Sequence, residues 1–511
     1  MLRKIRITLA LVFFVSITML FLDFTGMLHH WLGWMAKIQF LPAVLALNVG
    51  VLIGLVVLTL IFGRIYCSVV CPLGVFQDIV AWIRKRGKRN PYSYSPAKSL
   101  LRYAVLALFV GALAGGLGVV VALLAPYSSY GRIASNLFQP IYEFGNNIFA
   151  SVAGHFDSYA FYSTDIWIRS LPTFAIAAVT FVIIVILAWS GGRTYCNTIC
   201  PVGTVLSFVA RFSWFKIVFD VEKCRDCSLC SKKCKAACID FNSHEVDYSR
   251  CVVCGDCLDK CKFDALHYTH QVKQKVAEAE IPIDVVRAVE PRDDSSKQKE
   301  TSAYTSRRSF LLAAALATSA AALAQKNKKV DGGLAVIEGK IAPKRVTPLI
   351  PPGAFSAENM AQHCTACQLC VSECPNGVLR PSTDIMKLMQ PTMSYERGYC
   401  RPECTRCSGV CPTGAIHKVS KAEKSATQIG HAVWIKKNCV PITDGVDCGN
   451  CARHCPSGAI SMVSYKIAGG EVMVPAVNNE RCIGCGACEN LCPARPFSAI
   501  YVEGHEIHRT I

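Results

Sequence analysis

No CxxCH occurs anywhere in the 511 residues, which excludes covalently attached c-type haem. A GxGxxG fingerprint and a GxxxxGK[ST] loop are also missing, so neither a dinucleotide nor ATP is supported as a ligand. Acidic residues are scarce, 36 against 54 basic ones, and the formal net charge is +18. In a soluble protein that imbalance would suggest nucleic acid. Here much of the basic excess flanks apolar segments, so it reads as membrane topology and no nucleic-acid partner is expected.

Apolar residues make up 52% of the chain. Four apolar stretches precede residue 200: roughly Ile7 to Leu22, Leu41 to Phe62, Leu101 to Leu124, and Leu171 to Trp189. Each approaches the ~20 residues that cross a bilayer as a helix. None contains a histidine, so a membrane b-type haem would lack its usual axial ligand. Arg3, Lys4 and Arg6 precede the first stretch. Arg64, Arg84, Lys85, Arg86, Lys88 and Arg89 follow the second, and Arg193, Arg211 and Lys216 follow the fourth. The 125–170 loop has a single interior arginine, with Arg169 at the edge of the next stretch. The positive-inside rule therefore predicts a cytoplasmic N-terminus and a cytoplasmic chain just past Arg193. His29, His30, Trp31 and Trp34 are expected at the outer interface as an aromatic and polar belt.

The second and fourth stretches end alike, in GRIYCSVVCPLG at 63–74 and GRTYCNTICPVG at 192–203. Gly63, Arg64, Tyr66, Cys67, Cys71, Pro72 and Gly74 recur 129 positions later as Gly192, Arg193, Tyr195, Cys196, Cys200, Pro201 and Gly203. This is a duplicated two-helix unit. Cysteines at i and i+4 share a helix face, and a proline then disfavours continuation. Cys67, Cys71, Cys196 and Cys200 could close one metal or cluster site across a pseudo-two-fold, form two redox dithiols, or simply pack the helix ends.

The remaining cysteines, of 29 in all, fall mostly in tight runs. Cys224, Cys227, Cys230 and Cys234 read CxxCxxCxxxC, and Cys251, Cys254, Cys257 and Cys261 repeat it. In two-cluster ferredoxins the fourth cysteine of each run ligates the other cluster. The expected ligand sets are thus Cys224, Cys227, Cys230, Cys261 and Cys251, Cys254, Cys257, Cys234. Zinc is a weaker reading, because its sites favour separated CxxC knuckles. Lys235 and Lys262 replace the usual proline after the fourth cysteine, and Cys238 is left over as a spare buried thiol. Further on come Cys364, Cys367, Cys370, Cys374; Cys400, Cys404, Cys407, Cys411; Cys439, Cys448, Cys451, Cys455; and Cys482, Cys485, Cys488, Cys492, each group ending in Cys-Pro. Sixteen cysteines make four more cubanes and six in total. We expect the first group to exchange its last cysteine with the fourth, and the second with the third. PTGAI and PSGAI, after the second and third groups, suit small hairpins.

Between these halves, 269–304 is a charged connector, and SRRSFLL opens an apolar run that closes in Ala322-Leu323-Ala324, a small-x-small site. That is a twin-arginine signal or anchor at 305–325, on Arg307 and Arg308, placed where the chain has returned to the cytoplasm. The expected fold class is an α-helical membrane domain of four spans, with a fifth at the signal, plus α+β ferredoxin-like 4Fe–4S domains. The expected order is 1–205 membrane, 206–268 cytoplasmic two-cluster, 269–304 linker, 305–325 signal and 326–511 four-cluster.

Residues 1 to about 270 resemble the NapH-type membrane polyferredoxins, and residues from about 305 resemble their NapG-type partners exported by the twin-arginine route. The resemblance implies a quinol dehydrogenase of anaerobic respiration in the bacterial inner membrane. Its substrate would be quinol from the membrane pool, and its partners a periplasmic terminal reductase or its cytochrome, nitrate reductase by association, and the twin-arginine machinery. A second function remains open: a maturation or reactivation factor that uses the four membrane-edge thiols on another protein's metal centre.

Overall fold

The computed structural model describes residues 2–23, 25–85, 92–158, 161–270, 338–467 and 470–511. The connector from residue 271 onward and the twin-arginine segment lie outside the described residues.

Two helices, Leu2–Leu22 and Leu171–Gly191, are long and apolar enough to cross a membrane. At 21 residues each spans about 31 Å, close to the hydrocarbon thickness of a bilayer. The first stops at Asp23, whose carboxylate accepts the N–H groups of Thr25 (2.9 Å), Gly26 (3.0 Å) and Leu28 (2.8 Å) and so starts a new turn. The second begins with proline in its first turn and stops at Gly192, which has a φ of 70°. A side chain there would also meet the Lys235 carbonyl at 2.5 Å.

The other two expected spans are broken. Phe40–Leu45 and Val49–Phe62 are separate helices, because Leu47 takes a φ of 50° and Asn48 caps the second by accepting the Val51 N–H. Ser99–Ala114 and Gly118–Leu124 are parted at Gly115-Gly116, where Gly116 has a φ of 70°. At 14 and 16 residues, the longer pieces reach only about 21 and 24 Å. The expected 125–170 loop is also largely helical: Pro126–Ile133 runs through a π turn, Ala134–Phe138, into Gln139–His155. Such π turns frequently mark functional positions.

The duplication is visible in the backbone. Ile65–Val69 and Thr194–Thr198 are matching one-turn helices, followed by Pro72–Lys85 and Pro201–Ala210.

Beyond this helical part lie two cysteine-rich regions of ferredoxin type. In the first, strand Phe215–Phe219 pairs antiparallel with Leu266–His270, with both cysteine runs between them. In the second, Thr427–Trp434 pairs antiparallel with Ile500–Thr510 and likewise brackets two cysteine groups. The PSGAI segment leads into strand Ile460–Ile467, paired with Gly470–Val477, whereas PTGAI forms bends rather than a hairpin.

The two regions grip opposite ends of helix Leu2–Leu22. At its start, Arg3 pairs with Asp256 (2.9 Å) and Asp259 (2.8 Å) of the first region. Past its end, Gly26 lies against the Glu373 carboxylate and the Arg406 guanidinium of the second. Trp167 of the helical part also meets the second region, lying under Arg380 (4.8 Å) and Arg397 (4.4 Å).

Candidate iron–sulfur sites

In the first region, Cys224, Cys227, Cys230 and Cys261 line one pocket. Cys257 lies close to Cys254, Cys251 and Cys234. The expected exchange of fourth cysteines is therefore what the fold brings together. Cys238 is buried with its sulfur 3.5 Å from that of Cys234, so the leftover thiol sits against the second set. Lys235, standing where proline was expected, reaches Asp78 (3.2 Å) of the helical part and Asp256 (3.3 Å).

In the second region the expected pairing is overturned. Cys374 joins Cys400, Cys404 and Cys407 around one pocket, and Cys411 lies beside Cys364, Cys367 and Cys370. Cys492 joins Cys439, Cys448 and Cys451, while Cys455 joins Cys482, Cys485 and Cys488. Neighbouring groups thus exchange, first with second and third with fourth. The paired strands give the reason for the latter: Thr427–Trp434 and Ile500–Thr510 bracket groups three and four just as the first region's strands bracket its own two runs.

The loops carrying these thiols suit an iron–sulfur cluster in conformation as well as in donors. Each regular CxxCxxC run places two residues at positive φ: Asp226 and Ser228, Val253 and Gly255, Ala366 and Gln368, Gly484 and Gly486. Alternating right- and left-handed residues turn successive N–H groups into a concavity that holds anions, a recurrent feature of cluster sites. Further amides donate to the sulfurs themselves: Ala265 to Cys261 (3.3 Å), Ile416 to Cys411 (3.4 Å) and Ala499 to Cys492 (3.3 Å). The looser third group has Gly445 and Gly449 at positive φ, and the second group has no such residue after Cys404. Burial pushes the Cys230 and Cys451 thiols up to about 11.

The four thiols of the duplicated unit also converge. Cys67, Cys71, Cys196 and Cys200 are each 4–5% exposed and interact with one another across the repeat. The two arginines cross over. Arg64 donates to the Cys196 carbonyl (3.3 Å) and Arg193 to the Cys67 carbonyl (2.5 Å), so each copy clasps the other. Gly74 and Gly203 permit it: a methyl group on Gly203 would stand 2.5 Å from the Cys196 oxygen and 2.8 Å from Arg64.

Some residues at the site carried no motif. Asp78 binds Arg6 (2.9 Å), Arg193 (2.8 Å) and Lys235. Burial alone would raise its pKa, but Arg193, Lys235 and Arg6 hold it well below the usual carboxylate range. Gln77 donates to the Cys196 sulfur at 3.2 Å. Arg132, the single interior arginine of the 125–170 segment, is fully buried, between Tyr195 and Cys367. Its scarcity of charge was the only signal, and it was read as topology.

A helical part with two membrane-length helices, joined to cysteine-rich ferredoxin-like regions, defines an iron–sulfur electron-transport protein. Family models agree: a 4Fe-4S binding domain matches residues 44–91 and 173–221, and 4Fe-4S dicluster domains match 247–378 and 446–495. The methylamine utilization ferredoxin-type protein MauM of Paracoccus denitrificans is 31% identical over 164 residues, 31% of this chain and 73% of that protein. The ferredoxin-type protein NapH of Escherichia coli is 28% identical over 241 residues, 45% of this chain and 69% of NapH. An uncharacterized protein of Methanocaldococcus jannaschii is 25% identical over 280 residues, 54% of this chain and 97% of that protein. Another from the same organism is 33% identical over 96 residues, and there the chain spans only 38% of the relative's length. No solved structure matches. The chain belongs to the NapH/MauM-type ferredoxin membrane protein family and holds multiple 4Fe–4S clusters.

Proposed function

We propose that the protein is the electron-transfer component of a quinol dehydrogenase in the bacterial inner membrane, a fusion of NapH-type and NapG-type halves. The carrying observation is that the two ferredoxin regions hold opposite ends of the membrane-length helix Leu2–Leu22. On this reading residues 215–270 face the cytoplasm and residues 338–511 the periplasm, exported as a folded unit through Arg307 and Arg308. Six 4Fe–4S clusters are held by the six thiol sets described above, and electrons from quinol leave through the exported set to a periplasmic reductase or its cytochrome. Clusters carry single electrons, so each quinol needs two transfers. The depth at which Cys67, Cys71, Cys196 and Cys200 are buried favours this reading over repair of another protein's metal centre, which needs reachable thiols.

The test is to add quinol to anaerobic membranes containing the protein and follow cluster absorbance. Bleaching that a periplasmic-side dye reverses is the expected result, and clusters that stay oxidised overturn the reading. Replacing Arg307 and Arg308 with lysine is expected to strand 338–511 in the cytoplasm, as read by protease access from the periplasmic side.

A further inference from the structure

We infer that Cys67, Cys71, Cys196 and Cys200 jointly hold one iron–sulfur centre, and that it passes electrons between the two ferredoxin regions. This rests on the electron-transfer reading and supplies its middle step, since a hydrocarbon core of about 30 Å otherwise separates the two cluster sets.

Each copy of the duplicated unit brings only two cysteines, so a four-thiolate site exists only because the copies meet face to face. The site is buried, and two arginines stand beside it. Arg64 and Arg193 are fully buried, and Arg64 Nη2 stands 3.9 Å from the Cys67 sulfur. Arg64 Nε and Arg193 Nη2 have no hydrogen-bond partner among the described residues. Buried donors are rarely left unpaired, and while Asp78 balances Arg193, Arg64 has no carboxylate partner among the described residues, so a guanidinium held against this set of thiols is best balanced by a centre with net negative charge. An iron–sulfur core held by four thiolates is such a centre; four neutral thiols are not.

The position makes it a relay. Towards the first region, the Arg193 N–H donates to the Lys235 carbonyl at 2.9 Å, and Lys235 adjoins the ligand candidate Cys234. The Lys235 ammonium also lies near Cys254 of the same set. Towards the second region, Tyr195 lies beside Cys196 and Cys200 and also beside Arg132, whose guanidinium extends to Cys367. Tyr127 approaches both Cys367 and Cys411. The backbones themselves touch there, since a methyl group on Gly131 would stand 2.5 Å from the Cys367 carbonyl oxygen. One or two side chains therefore separate the central thiols from a ferredoxin site on either side. The exchange makes and breaks no bond: the centre accepts one electron from one neighbouring cluster, returning it to its oxidised state, and gives one to the other.

The experiment uses the full chain in sealed vesicles of one orientation, with a membrane-impermeant reductant supplied on the side of residues 215–270. Quinol is left out, so failure of the quinol reading leaves this test intact. The wild type is expected to bleach all its clusters. The double variant Cys67→Ser, Cys196→Ser is expected to lose the iron and acid-labile sulfide of one centre, keep the rest, and bleach only the near-side clusters. Full iron content in that variant, or bleaching of the far-side clusters, overturns the inference. If the double variant does not accumulate, Arg132→Met decides: unchanged iron with loss of far-side bleaching supports the relay, and undiminished bleaching overturns it.

Discussion

The two copies of the duplicated unit share a backbone and divide the chemistry. Copy one carries Gln77 and Asp78; the same positions in copy two are Leu206 and Ser207. Copy two carries Asn197, which accepts from Arg64 (3.1 Å) and donates to the Ala236 carbonyl (3.1 Å), where copy one has Ser68. The cysteines, crossing arginines and close-approach glycines are thus duplicated, while the groups that fasten the first ferredoxin region differ. The thiol site is symmetric, and its anchoring diverges.

Asp78→Asn breaks that comparison most severely. It leaves Arg6 and Arg193 buried without a counter-charge and Lys235 with Asp256 alone, and truncating one partner of such a group costs about 3–5 kcal/mol. Ser207→Ala at the equivalent position removes only a hydroxyl bonded to its own helix, at a cost of about 1 kcal/mol. Thermal unfolding of the purified protein, followed by cluster absorbance, should rank the two in that order, and equal effects would deny the asymmetry.

Gly74→Ala and Gly203→Ala sharpen the symmetric part. Each methyl would collide with the carbonyl of the preceding cysteine turn, at 2.2 and 2.5 Å, so each should cost about 1–3 kcal/mol by overpacking. Matching shifts in the same unfolding assay are expected. A large effect in one copy alone would show that the arginine clasp is not mutual.

The two ends of Leu2–Leu22 offer a second contrast. Trp167→Leu removes two cation–π contacts on the side of the second region, worth about 1 kcal/mol each when partly exposed. It should increase proteolysis at that junction and leave the Arg3 end unchanged. At the same junction, burial, with Asp23 nearby and Arg406 opposing, raises Glu373 from its ordinary 4.5 to about 7. A carboxyl raised by folding favours the folded state fully below pH 4.5 and loses that contribution as pH rises through about 7. The junction should therefore loosen between those values, and Glu373→Gln should flatten the dependence. A pH-independent protease pattern in the parent protein would contradict it.

Much of this was legible because it is local. The cysteine runs carry their own loop geometry, and the repeat at a spacing of 129 announces two equivalent helix ends. The broken spans were not legible, since apolarity records solubility in lipid and not continuity of a helix. The breaks turn on Leu47-Asn48 and Gly115-Gly116, which a hydropathy average smooths away. The exchange of fourth cysteines in the second region was misjudged because four Cys-Pro endings are interchangeable as text. Strand pairing between Thr427–Trp434 and Ile500–Thr510, a contact across more than one group, chooses among them.

By itself, then, the sequence determined where the thiols lie, how many there are, and which stretches are apolar, because those properties belong to side chains and short spacings. Only the tertiary structure decided which thiols share a site, that Arg132 is buried between Tyr195 and Cys367, and that both ferredoxin regions close on the same helical core. Those facts depend on residues hundreds of positions apart, whose encounter is set by the packing of whole elements and not by any local preference.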